Sequence, residues 1–293
     1  MDNDDLPIGR VLDRREALRL MAAAGAAALV GCNRGTVEAA STAGAGTAGN
    51  AAAINAAATA ALPGCVVRPE LTLGPYFLDD MLNRSDIRTE PGTGAEKPGA
   101  PLALAFNVSQ VSNGQCLPLK GAMVDIWHCD AAGVYSGFND TGEGFSTVGQ
   151  KFLRGHQITD DKGGARFTTI YPGWYRGRTV HIHFKIRAPW AAGAKVTDAT
   201  SQYDFTSQLF FDEADSDKVY AQAPYAAKGP RDRTNQSDGI FRQSGDSLLL
   251  KLTPASQGYA GTFDIGLDLS DTNVGGAERM RGPGGPPPGE RRG

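Results

Sequence analysis

Two histidines one residue apart carry the sharpest chemical signal in this 293-residue chain. They lie in Tyr171-Pro-Gly-Trp-Tyr175-Arg-Gly-Arg178-Thr-Val-His181-Ile-His183-Phe, and the whole chain holds only 4 histidines. On a strand, residues i and i+2 leave the backbone on one face about 7 Å apart, so His181 and His183 can converge on one metal ion. Their neighbours Val180, Ile182, Phe184 and Ile186 are apolar, which argues against two histidines on a solvated face. Phenols stand close by in sequence, at Tyr171 and Tyr175. A second group of polar side chains, His128-Cys129-Asp130, precedes Tyr135.

A His-x-His pair serves several metal sites, each with different further requirements. Cupins add a glutamate soon after the pair, and Phe184 to Pro189 contains no acid. Copper–zinc superoxide dismutase needs more histidines than this chain has. An Fe(II) site of two histidines and one carboxylate can be drawn from His128 and Asp130, with His156 or His183 as third ligand. It leaves the 181/183 pair without a joint role, and it stays open as an alternative. So does a binding module without catalysis.

Strands must position these groups, and the sequence supplies them. Leu102, Leu104, Phe106 and Val108 alternate with smaller or polar residues, as do Val124, Ile126 and His128 with Asp125, Trp127 and Cys129. Val180 to Arg187 and Phe263 to Leu269 repeat the pattern, and Asn-Gly and Asp/Gly turn signals separate the runs. Residues 213–225 predict one short helix. Many short strands with polar turns predict an all-β fold, a β-sandwich of Greek-key-like type with long loops that carry the chemistry.

The segment Val124-Asp-Ile-Trp127-His-Cys-Asp-Ala-Ala-Gly133-Val-Tyr135, taken with Tyr-Pro-Gly-Trp-Tyr175, Arg178 and His181-Ile-His183, resembles the intradiol ring-cleavage dioxygenases. Gly74-Pro75-Tyr76-Phe77 and Ser207-Gln208-Leu209-Phe210-Phe211 are similar to that family too, and the motifs keep family order over about residues 68 to 212. The resemblance implies a mononuclear non-haem Fe(III) held by Tyr135, Tyr175, His181 and His183, with Tyr175 the ligand that gives way to substrate. It implies cleavage of a catechol-type ring by O2 between the two hydroxylated carbons, to a cis,cis-muconate-type product. Arg178 then stabilises negative charge on the ring, Gln208 is a pocket glutamine, and Tyr76 and Trp174 line the pocket. Phenolates suit the hard ferric ion, since a cation of high charge favours the deprotonated ligand.

The resemblance has departures. Tyr175 is followed by Arg176-Gly177, where protocatechuate-type relatives carry Pro and Trp. Substrate preference is therefore not inherited. The helical N-terminal segment of many intracellular members is also missing, which leaves a monomer or small homo-oligomer as the expectation.

The ends of the chain read as something other than fold. Arg14-Arg15 precede an apolar run from Leu20 to Val30 that closes on Leu29-Val30-Gly31-Cys32. At 11 residues the run falls short of the ~20 needed to span a bilayer. Residues 1–32 are therefore expected to be a twin-arginine-type export signal ending at a lipidated Cys32, although 4 Arg face 5 acids in residues 1–19. Residues 33–63, rich in Ala and Gly, predict a tether, residues 64–273 the folded domain, and residues 274–293, with 7 Gly and 4 Pro, a disordered tail. The expected setting is outside the cytoplasm, with membrane contact only through the N-terminal lipid. Cys65, Cys116 and Cys129 then predict one disulfide and one free thiol, in a pairing left open. A net charge of −3 without a central Lys/Arg block excludes a nucleic-acid groove.

Overall fold

The computed structural model describes residues 66–112, 115–188, 203–271 and 274. The expected export signal, the lipidation site Cys32, the tether and nearly all of the tail lie outside the described residues. Among the described residues no helix is long and apolar enough to cross a membrane.

Two sheets form the core. The larger contains β1 (Pro101–Ser112), β2 (Gln115–Pro118), β7 (Gly164–Ile170), β10 (Leu252–Pro254) and β11 (Tyr259–Leu267), ordered β10-β11-β1-β2 with β7 also on β1. β1 and β11 run parallel, which brings the last strand beside the first. The smaller sheet is ordered β6-β3-β8-β9, from β6 (Arg154–Ile158), β3 (Met123–Trp127), β8 (His181–Ala188) and β9 (Tyr203–Phe210), all antiparallel. A two-stranded hairpin, β4 (Asn139–Asp140) with β5 (Phe145–Ser146), projects separately.

The alternation read in the sequence becomes the sandwich interior. Leu102, Leu104, Phe106 and Val108 of β1 meet Val124 and Ile126 of β3 and Ile182, Phe184 and Ile186 of β8 in one apolar cluster. Phe106 is fully buried at its centre, with ring centroids 5.4 Å from Phe184, 5.9 Å from Phe263 and 6.2 Å from Phe167.

The expected helix forms as α1 (Glu213–Tyr220), capped by Asp212, and ends sooner than 225, where a 3-10 turn takes over at Tyr225–Lys228. A second short helix, α2 (Gly239–Ser244), was not anticipated; Asp238 caps it. β3 stops at Trp127, so His128 leaves the strand pattern and is buried beyond it. Cys116 is disulfide-bonded and Cys129 is the free, buried thiol. The partner of Cys116 is outside the described residues.

Replacing Phe106 with Ala is expected to cost about 3–5 kcal/mol, the range for a fully buried aromatic. A urea midpoint unchanged from the native protein would contradict this placement of the core.

Candidate metal centre

β8 is buried on both faces. Ile182, Phe184 and Ile186 point into the sandwich, so His181, His183, Lys185 and Arg187 point the other way, and all four are buried there too. A second, smaller cluster supplies the cover: Leu73, Tyr76, Phe77, Trp127, Cys129, Tyr135 and Tyr175. The antiparallel register sets Trp127 of β3 and Gln208 of β9 on either side of His183. The Trp127 indole stacks on the His183 ring at 5.0 Å and 5°.

The two loops that bring the phenols are packed against each other. Asp130 accepts from the backbone N–H groups of Ala132 and Val134 and closes a turn whose Gly133 has φ +82°. A Cβ at Gly133 would lie 2.1 Å from the Trp174 carbonyl oxygen, so only glycine lets the Tyr135 loop approach the Tyr175 loop this closely. Thr147 holds the Tyr135 carbonyl through a 2.6 Å hydrogen bond.

Three donor atoms meet. Tyr175 Oη is 3.2 Å from His181 Nε2, which is 3.1 Å from His183 Nε2. Donors bound at about 2 Å to one cation stand about 3 Å from each other, so these spacings suit a shared ion. Tyr135 comes in beside them, its ring centroid 5.5 Å from Tyr175 and 6.4 Å from His183, and its buried hydroxyl has no hydrogen-bond partner among the described residues. His181 Nδ1 lies 2.7 Å from the Thr179 carbonyl and so carries the proton, which leaves the Nε2 lone pair free to bind a metal.

Electrostatics favour the neutral forms of His181, His183 and Tyr135 without a cation. Burial, followed by the Arg178 charge, pushes His181 down to about 3. Burial, then His181, drives His183 well below its ordinary value. Burial also raises the Tyr135 phenol well above 10, with Tyr175 adding to it. Two imidazole lone pairs, and in Tyr135 a phenol that ionises only against a positive charge, suit a hard cation.

Arg178 stands beside the ligand set. Burial works against its charge, but Tyr175 and Asp238 outweigh it and hold the guanidinium above its ordinary value. Its Nη2 donates to Gln208 Oε1 at 2.6 Å, so two side chains singled out 30 residues apart are in direct contact. Tyr76 stacks on Tyr135 at 4.2 Å, meets Tyr175 edge-on at 5.8 Å, and donates from its hydroxyl to Asp140 at 2.5 Å. Trp174 packs instead on the rim of the main core, 4.6 Å below Lys228 Nζ. Tyr171 belongs wholly to the main core and bonds Ser216, so it does not compete with Tyr175.

The site drawn from His128 and Asp130 does not assemble. His128 Nδ1 lies 2.8 Å from the Cys129 carbonyl and Nε2 2.7 Å from Thr169 Oγ1, so donating through one nitrogen and accepting through the other uses both. Asp130 is paired with Lys97 at 2.7 Å.

Sequence reading missed Asp238, and it named Gly74 only within the Gly74-Pro75-Tyr76-Phe77 motif, without a role. Gly74 has φ +71°, and a Cβ there would lie 2.8 Å from His183 Cε1. Gly74→Ala is therefore expected to displace the His183 ring and to lower metal affinity about 10–100-fold, the usual range for groups that orient ligands. Metal titration followed by equilibrium dialysis measures it, and an unaltered affinity would refute the contact.

Comparison with known proteins bears on the family of the chain. A family model described as a dioxygenase matches residues 72–216, which takes in all four converging residues. The catechol 1,2-dioxygenase of Candida albicans is 31% identical over 136 residues, 40% of this chain and 42% of that protein. A chlorocatechol 1,2-dioxygenase of Pseudomonas putida is 26% identical over 132 residues, 39% of this chain and 46% of that one. The matched segment thus spans less than half the length of these curated relatives. The solved intradiol ring-cleavage dioxygenase of Tetranychus urticae is 31% identical, with 71% of this chain and 96% of that one covered at a TM-score of 0.58. With a relative of that identity matched over nearly its full length, the chain belongs to the intradiol ring-cleavage dioxygenase family.

Proposed function

We propose that this chain is an Fe(III)-dependent intradiol dioxygenase that opens a catechol-type ring between its two hydroxylated carbons, giving a cis,cis-muconate-type diacid. The observation that carries the reading is the meeting of Tyr175 Oη, His181 Nε2 and His183 Nε2 within 3.2 Å steps beside the unpartnered Tyr135 hydroxyl. Two anionic oxygens and two neutral nitrogens suit the ferric state better than the ferrous.

When bound, ferric iron supplies the covalency that makes a diphenolate reactive toward O2. The chain's own residues do the rest. Tyr175, once a phenolate, is the base placed to take a proton from an incoming diphenol hydroxyl and swing aside. Arg178 offers a fixed positive charge for the anion that develops on the ring. Stacked Tyr76 and the β4–β5 hairpin exclude water from one side, because the Asp140 carboxylate at the hairpin ties down the Tyr76 hydroxyl.

The twin-arginine-type pattern and Cys32, read as an export signal, would give a lipid-anchored protein outside the cytoplasm, and with it an external diphenol as substrate. Cys32→Ser is expected to move the protein from the membrane fraction to the soluble one; a protein already soluble with Cys32 intact would refute the anchor.

Iron-loaded protein is expected to be red to burgundy from tyrosinate-to-Fe(III) charge transfer and to consume O2 with a catechol. Tyr135→Phe is expected to remove much of the colour and to reduce turnover at least about 100-fold, beyond the loss typical of outer partners. An unchanged spectrum and iron content in that variant would overturn the ligand assignment. A colourless protein inert toward a panel of catechols would favour the binding module.

A further inference from the structure

We propose that Asp238 is the positioning residue of this site, a buried carboxylate that holds the Arg178 guanidinium with one nitrogen left for the substrate anion. Asp238 is 1% exposed and touches none of the four ligand side chains by hydrogen bond. Its Oδ1 accepts from the N–H groups of Ile240 and Phe241, both at 2.8 Å, and so caps α2. Its Oδ2 accepts from Arg178 Nε at 2.9 Å and from Thr179 N at 2.8 Å. One carboxylate thus joins a helix start to two consecutive residues of the strap that runs from Tyr175 to His181.

The guanidinium is fixed from its other side as well. Arg178 Nη2 donates to Gln208 Oε1, and Gln208 Nε2 donates to the Thr72 carbonyl at 3.0 Å. With Nε and Nη2 both taken, Nη1 is the nitrogen without a hydrogen-bond partner among the described residues. A planar fork held at two of its three nitrogens cannot turn about its stem. Asp238 also supplies the counter-charge. Without it, the nearest anions for a buried arginine would be the tyrosinates, and a direct pair would withdraw Arg178 from the substrate.

A residue that only capped α2 would predict something different, because asparagine caps as well as aspartate. Asp238→Asn is expected to keep its circular dichroism and lower kcat on catechol about 10–100-fold with KM changed much less, as for a group that positions another. The double variant Arg178→Gln/Asp238→Asn is expected to match Arg178→Gln alone, since Asp238 acts through the arginine. Of the arginine Nε–H resonances protected from solvent exchange, which should include those of Arg84 and Arg154, the one that disappears in Arg178→Gln should also be lost in Asp238→Asn.

An unchanged kcat in Asp238→Asn, a double variant slower than Arg178→Gln by the whole single-variant factor, or an Arg178 Nε–H that stays protected in Asp238→Asn would each overturn the proposal. If Asp238→Asn does not fold, the double variant, which leaves no unpaired buried charge, is compared with Arg178→Gln in its place. The kinetic comparisons rest on the ring-cleavage reading. Should the native protein consume no O2 with any catechol, that reading fails, and the Nε–H measurement decides the role of Asp238 by itself.

Discussion

A strand buried on both faces sets the terms for everything else here. β8 gives one face to the sandwich core, and its 2-residue period then commits His181, His183, Lys185 and Arg187 to the opposite face. Polar side chains there must be roofed and satisfied. The roof is the cluster around Tyr76, Phe77, Tyr135 and Tyr175, and it brings the phenols with it. Ligands and lid are thus one packing solution, and the low-dielectric enclosure follows from it.

That enclosure explains the charge state of the donors. Burial lowers the imidazoles and raises the Tyr135 phenol, so these three groups favour their neutral forms. A metal bound here would release the Tyr135 proton, and its binding would add to the free energy of folding. Arg178, already positive and already paired with Asp238, does not have to be neutralised by the ligands.

Local patterns in the sequence revealed much of this. The alternation at 102–108, 124–127 and 181–187 identified strands and their inner faces, and His-x-His marked a shared face before any partner was known. Tyr135 and Tyr175 were reached only through a family resemblance, because nothing local distinguishes a ligand phenol from a core phenol; Tyr171, four residues from Tyr175, shows the ambiguity. His128, read chiefly as a packing or hydrogen-bonding residue and as a ligand only in the Fe(II) alternative, takes the first role. Its strand pattern ends one residue earlier, at Trp127, and its ring is spent on Cys129 and Thr169. Asp238 escaped notice because its partners lie about 60 residues away, although an Asp before Gly-Ile-Phe is a recognisable helix cap. Gly74 carries no signal short of the imidazole it touches.

The close approach of Gly133 to the Trp174 carbonyl packs the two phenol-bearing loops together and leaves no room there for a larger side chain. Freedom to diversify the cavity therefore falls to residues 139–146, a hairpin joined to Tyr76 through Asp140. Mutagenesis aimed at accommodating bulkier or differently substituted aromatics belongs in this hairpin, where sequence can vary while the coordination sphere keeps its shape.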